Sequence, residues 1–420
     1  MSRLLELLRG EPRARRFLAA QTQSALGTGL GYVALLTIAF DRSHSAWAVT
    51  AILVAEFAPA ALLGSVIGVL SDRVPRRTIL VGADVLRFGA FAGLMFAASP
   101  LLIVALAIVA GVGNAAFVPT ALAGLPDMVS PARVAAATGL FGTIDELGYL
   151  VGPALAAVLL TTLGVHTLLL ANAVSFAVSA CVLARLDFGR SQAAAAAGTR
   201  RRWMDDLREG ARSLAGDRTL APLLLCSAAF VLFLGGVNVG ELLLVRESLH
   251  AGASAYALVV TAMGAGVSIG ALIATRGGER EQLKRGYLLG LALAAGGLMV
   301  AGLAPGLTIA LVAFLMIGVG NGAAVCFERV LLQRLVPGAL RGRVFGLRSS
   351  LMAWAMGGSF VVSGLAGSLL GGRALLTISG IGAAVAAGAA CVALRERTVR
   401  SNMRPELLEI APDTAGLVRS

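Results

Sequence analysis

Long apolar runs, broken by short clusters of Gly, Pro and charge, set the pattern of this chain. A helix that crosses a bilayer needs about 20 mostly apolar residues. Twelve runs meet that length, at approximately 17–40, 47–70, 78–98, 101–122, 136–162, 164–186, 220–244, 255–275, 286–304, 307–332, 346–370 and 374–394. The pattern therefore predicts an all-α polytopic membrane protein of twelve transmembrane helices. The first run follows Arg3, Arg9, Arg13, Arg15 and Arg16 without a small-residue cleavage site, so it reads as a first span and not as a signal peptide.

The basic residues test this count. An even number of spans puts both termini on one side. Of the 35 Lys and Arg, 31 then fall on that side; Arg42, Arg246 and Arg373 fall opposite, and Arg87 lies inside a span. Such asymmetry predicts cytoplasmic termini.

Composition agrees. Hydrophobic residues make up 57% and charged ones 14%, against about 25% charged in soluble domains. A soluble fold, disorder and a coiled coil are excluded. The net charge of +12 does not point to nucleic acid, because the basic residues stand between apolar runs and not on one soluble face. Cys181, Cys226, Cys326 and Cys391 all lie in apolar runs, which argues against disulfides or a metal site. His44, His166 and His250 fall in outer loops without ligand spacing, so no metal is expected. No P-loop, zinc-protease motif or nucleophile elbow is present. An enzyme, direct use of ATP and a cofactor are not expected. Lys284 is the sole lysine, a sign of GC-rich coding that fits a bacterial inner membrane.

The longest polar stretch, 187–219, divides the chain into an N-terminal six-helix bundle (1–186) and a C-terminal one (220–396), with a tail at 397–420. Within the linker, Trp203, Leu207, Ala211 and Leu214 recur at helical spacing. This is either an interfacial amphipathic helix or a solvated connector. The halves also match each other. A shift of 207 residues lays Gly111-Val112-Gly113-Asn114 on Gly318-Val319-Gly320-Asn321, with 11 identities over the 30 residues 111–140. Parallel six-helix repeats imply a transporter with its site between the halves.

Gly68-Val69-Leu70-Ser71-Asp72-Arg73-Val74-Pro75-Arg76-Arg77 resembles the major facilitator superfamily signature between spans two and three, with Pro75 where glycine is usual. Ile269-Gly270-Ala271-Leu272, then Arg276, is a weaker echo. The resemblance implies a cytoplasmic gate at Asp72, Arg73, Arg76 and Arg77. Gly148-Tyr149-Leu150-Val151-Gly152-Pro153 resembles the antiporter motif of drug exporters. The well-studied exporter branches carry an arginine where this chain has Ala107. Gln333-Arg334, Pro337 and Arg341-Gly342-Arg343-Val344-Phe345 are instead similar to the third drug:proton antiporter branch, the macrolide-efflux and enterobactin-exporter-like transmembrane secretion effectors.

A charge inside a span costs about 2.5–3.5 kcal/mol on insertion scales, so each one is a candidate. Glu56, central in span two with no basic residue in helical reach, is either a proton-coupling or cation-recognising group or a structural hydrogen-bond partner of a neighbouring helix. Asp145 and Glu146 in span five are the rival pair, with Asp145 on the face of Gly148 and Gly152 expected to pack on the other half; the alternative is that span five starts later and both carboxylates are simply wet. Asp84 and Arg87, spaced i,i+3, are expected to pair near the Asp72 latch. Glu328 and Arg329 are expected as a gate pair or helix-end charge. Gln21, Thr22, Ser24, Asn114, Asn238, Glu241 and Asn321 are cavity candidates.

These features predict a proton antiporter exporting an amphipathic drug, siderophore or secondary metabolite by alternating access. Its expected partners are the bilayer, that substrate and protons; it is expected to act as a monomer and to bind no nucleic acid. Lysolipid movement, facilitated uptake and a non-transporting membrane sensor are the alternatives.

Overall fold

The computed structural model describes residues 10–188, 220–274, 279–336 and 341–402. Every regular element among them is helical. Helix α1 (Pro12–Ser43) starts with proline at its first turn, where the missing N–H costs nothing. It ends at His44 in the left-handed region (φ 47°), whose N–H bonds to the Phe40 carbonyl. After it come α2 (Ala46–Arg73), α3 (Arg76–Leu94) and α4 (Pro100–Gly124), the last capped by Ser99 accepting from the Leu102 N–H at 3.3 Å. Two short 3₁₀ turns lead into α5 (Val134–Thr162), and α6 (Gly164–Leu183) closes the first half.

The second half begins with α7, which runs as Leu220–Leu234, then Val237–Leu243, then a π-helical turn Leu244–Ser248. Helices α8 (Ala253–Ala274), α9 (Arg280–Gly302) and α10 (Leu307–Leu335) follow. The 62-residue stretch Arg341–Asn402 is two helices, α11 (341–370) and α12 (372–402), parted at Gly371 with φ 77° and ψ 171°. Glycine is the residue that takes this backbone without a Cβ penalty.

Among the described residues, nine helical stretches are long and apolar enough to cross a membrane. Leu347–Leu394 among them spans both α11 and α12, and Ala46–Ala60 of α2 is a shorter apolar helix. Helix α3, whose 19 residues hold Arg76, Arg77, Asp84 and Arg87, is not among the nine. Twelve helices are compatible with all three facts. Most of the linker, from residue 189, the tail from 403 and Arg276 of the second-half echo lie outside the described residues.

In the first half α1 packs on α5 and α6, and α4 lies between α2 and α3; in the second, α10 lies between α8 and α9. The repeat is built into this packing. A Cβ on Gly113 would come within 2.9 Å of the Ala83 carbonyl, and one on Gly320 within 2.5 Å of the Gly290 carbonyl, 207 residues further on. Small residues let helix backbones approach in a medium where no hydrophobic force drives them together. Leu101, Leu289, Leu369 and Val385 lie exposed, an apolar surface suited to acyl chains. The four cysteines are free. The halves meet chiefly where α5 packs on α8 and α2 on α11.

Candidate functional site

Asp84 and Arg87, on consecutive turns of α3, are both buried. They form an ion pair, with 0% and 4% of each residue exposed. Arg87 also donates to Asn114 Oδ1 of α4 at 3.1 Å, and its guanidinium lies over the Phe117 and Phe176 rings at 4.2 and 4.4 Å. The pair thus sits inside the N-terminal half, about 12 Å of helix rise from Arg76 to Asp84. It is not beside the gate loop as the sequence reading supposed. At that loop, Arg76 pairs with Asp127 beyond α4, and Arg77 is exposed. The side chains of Asp72 and Arg73 lie outside the described residues. On the same side Glu11 accepts from the Ser130 N–H at 3.1 Å and pairs with Arg133 at 3.3 Å. The Ser130 N–H, foremost, and Arg133 hold its carboxyl below the usual value.

Asp145 and Glu146 part company. Asp145 Oδ1 accepts from Gln21 Nε2 of α1 at 2.8 Å, while Glu146 is exposed and lies within electrostatic reach of Cys326 on α10. Residues one apart on a helix point about 100° apart, so they do not share one site. The glycine face of α5 corrects a second expectation. A Cβ on Gly148 would meet the Ala25 carbonyl oxygen at 2.6 Å, and one on Gly152 the Gly29 Cα at 2.6 Å. Gly148, Gly152 and the Pro153 ring therefore pack on α1 of the same half. The contact with the other half is made by Tyr149 and Leu150, against Gly264 of α8.

Glu56 is half-buried in α2 and makes no hydrogen bond or ion pair among the described residues. Tyr32 and Tyr149 lie within its electrostatic reach, and their rings meet edge to face at 6.4 Å. Tyr149 is 50% exposed although it borders α1, α2 and α8. It lies where α5 meets α8, at the space between the halves.

Across that space, the Tyr32 hydroxyl donates to Asn238 Oδ1 at 3.3 Å, and Asn238 donates back to the Gly235 carbonyl at 3.3 Å. Tyr256 of α8 donates to Glu241 Oε1 at 3.4 Å. Nearer the outer ends of the helices (the ends that carry the α1–α2 turn), Arg246 pairs with Asp41. Thr50 donates to the Phe360 carbonyl at 3.4 Å, and the Phe57 and Phe360 rings lie 5.3 Å apart.

Glu328 does not pair with its neighbour. Its partner is Arg348 of α11 at 2.5 Å, both inside the C-terminal half, while Arg329 is exposed. Asn321 has no Arg87 counterpart: the position 207 residues after Arg87 is Ala294. Thr22 donates to the Leu18 carbonyl of its own helix, and Ser24 is buried in α1. The reading of the sequence missed Tyr32, Tyr149, Tyr256, Asp41 and Arg348. The tyrosines carried one signal, their rarity: there are four in the chain.

Two helical bundles around a polar seam, in a chain with an apolar surface, define a membrane transporter of the major facilitator fold. The family model described as "Transmembrane secretion effector" matches residues 13–413. The chain belongs to that family. It is 29% identical over 350 residues to the uncharacterised MFS-type transporter YfiS of Bacillus subtilis (strain 168), covering 81% of this chain and 83% of that one. It is 22% identical over 376 residues to macrolide efflux protein A of Streptococcus pyogenes, covering 86% and 91%. Among solved structures, the nucleoside transporter NupG superposes with a TM-score of 0.74 at 11% identity, over 91% of this chain and 99% of that one. A bacterial homologue of the iron transporter ferroportin gives 0.69 at 18%, over 91% and 98%.

Proposed function

We propose that this chain exports an amphipathic small molecule, a drug, siderophore or secondary metabolite, in exchange for protons. Its two bundles rock about the space between them. The observation that carries this reading is Glu56: a carboxyl in mid-span, beside two tyrosines that border that space, with no cation or hydrogen-bond donor engaged. A charge so placed is costly, and reversible protonation removes the cost. Asp145, held by Gln21, and Glu146 are the second choices. Relatives named for macrolide efflux support export. The 31 basic residues on one side support cytoplasmic termini, in a bacterial inner membrane. Asp72, Arg73, Arg76 and Arg77 serve as the cytoplasmic gate. The protein acts as a monomer and performs no covalent chemistry.

The test uses inside-out vesicles acidified by respiration and a lumenal pH dye. A panel of lipophilic drugs and siderophores is added to the parent, Glu56→Gln and Asp145→Asn. Proton release by the parent and not by Glu56→Gln is the expected result. Equal release by Glu56→Gln transfers the coupling role elsewhere. No release by the parent, with lysolipid still crossing the bilayer, sinks proton exchange and brings lipid movement forward.

A further inference from the structure

Helix α7 has an unusual outer part. The seven-residue piece Val237–Leu243 hangs between two irregular joints, the break at Gly235 and Gly236 and the π-helical turn Leu244–Ser248. This outer part carries three groups of interest: Asn238, bonded to Tyr32 of α1; Arg246, paired with Asp41 of α1; and Glu241 between them. Asn238 and Arg246 clasp the opposite half. Glu241 has another task.

Its carboxyl is sealed, with 2% of the residue exposed. The groups that face it can be named element by element. From α8 comes the Tyr256 hydroxyl, at 3.4 Å. From α1 comes Tyr32, within electrostatic reach of the carboxyl. Glu56 of α2 bears on the same Tyr32. Leu375 and Leu376 of α12 pack on the neighbouring Gly240. On its own helix Arg246 is further out and engaged by Asp41. Among the described residues, then, the carboxyl has one long hydrogen bond and no ion pair. An ionised carboxylate sealed there would leave several kcal/mol of desolvation unreturned. A hard metal ion is also a poor fit, since it gathers six or more oxygens at about 2.3–2.6 Å.

We propose that Glu241 is a proton-binding site loaded from the outer side, and that its protonation licenses closure of the outer gate formed by α7 against α1. With the gate open, water reaches the carboxyl and the charge is tolerated. When a proton binds, the oxygen can be buried under Tyr256, and Asn238 and Arg246 come within reach of Tyr32 and Asp41. The proton adds to a carboxylate oxygen and leaves from it, with no other bond made or broken. This adds a gate-side site to the proton-exchange reading and rests on that reading for its direction. The test below, however, needs no transported compound.

In protein whose four native cysteines are replaced by serine, nitroxide labels are placed at Arg42→Cys and Ser248→Cys, at the outer ends of α1 and α7. Distances between the labels are measured in nanodiscs from about pH 5 to pH 9. The expected result is a short distance that gains population as pH falls, and a Glu241→Gln variant that stays short at every pH. Tyr256→Phe keeps the carboxyl and should keep a pH response with a displaced midpoint, which guards against a merely misfolded Glu241→Gln. Retention of the parent's pH response in Glu241→Gln overturns the proposal, as does a parent that ignores pH. A distance that responds to sodium at fixed pH, and not to pH, overturns it in favour of a cation site. Failure here, with proton release in the vesicle assay intact, removes the outer site and leaves the exporter reading standing.

Discussion

At the scale of single residues, the first half holds charges that the second does not. The positions 207 residues after Glu56, Asp84 and Arg87 are Met263, Leu291 and Ala294. Both halves keep the same helix contacts, so these charges are not required by the fold and must be stabilised one by one. Arg87 is, by Asp84, Asn114 and two aromatic faces. Removing one member of such a pair costs about 3–5 kcal/mol, because the other is left buried and unpaired. Arg87→Met should therefore lower the unfolding temperature in detergent strongly, and adding Asp84→Asn should recover much of the loss. Equal harm from the single and the double change would show that the aromatic stacking, not the charge, is what Arg87 supplies. The spacing of Asp84 and Arg87 made this pair legible in the sequence. The pair of Glu328 with Arg348 was not, because 20 residues and a turn between helices separate them.

At the scale of helices, the apolar runs and the proline and glycine punctuation made the elements legible, and the 207-residue repeat paired α4 with α10, each of which lies between two helices of its own half. The direction in which a glycine face points was not legible. Gly148 and Gly152 match an exporter motif, but sequence alone does not say whether α1 or the opposite half receives them. The structure gives them to α1. Gly152→Val should cost about 1–3 kcal/mol of overpacking, since its first side-chain atom already meets Gly29. Gly142→Ala on the same helix meets nothing within 4 Å and should be neutral, or stabilising by up to about 1 kcal/mol from helix propensity. Thermal unfolding of both variants checks the contrast; equal effects would sink the α1 assignment. The break in α7 left a trace, since Gly235-Gly236 stands within an apolar run. In a chain with 52 glycines, such a pair does not announce itself.

At the scale of the whole molecule, the named contacts between halves run from mid-membrane to the outer ends: Tyr149 and Leu150 with Gly264, Tyr32 with Asn238, Phe57 with Phe360, Asp41 with Arg246. The halves are thus closed on each other at the end that carries the α1–α2 turn. The outermost member is part exposed, with 42% of the Asp41 side chain and 21% of that of Arg246 open to solvent. Exposed pairs are worth about 0.2–1 kcal/mol, so Asp41–Arg246 biases closure and does not enforce it. At 1.4 kcal/mol per tenfold, Arg246→Ala should raise the open fraction by at most about fivefold. A cysteine at Thr37, buried in α1 between Tyr32 and Asp41, reports this in the cysteine-free background. Its labelling by an impermeant maleimide added from outside should quicken in Arg246→Ala. It should return towards the parent rate when Asp41→Arg is combined with Arg246→Asp, because the swap restores the attraction. A swap that labels as fast as the single variant would mean that Arg246 acts through its packing over Phe40, 5.9 Å away, and closure would then rest on the tyrosine and asparagine tier beneath it.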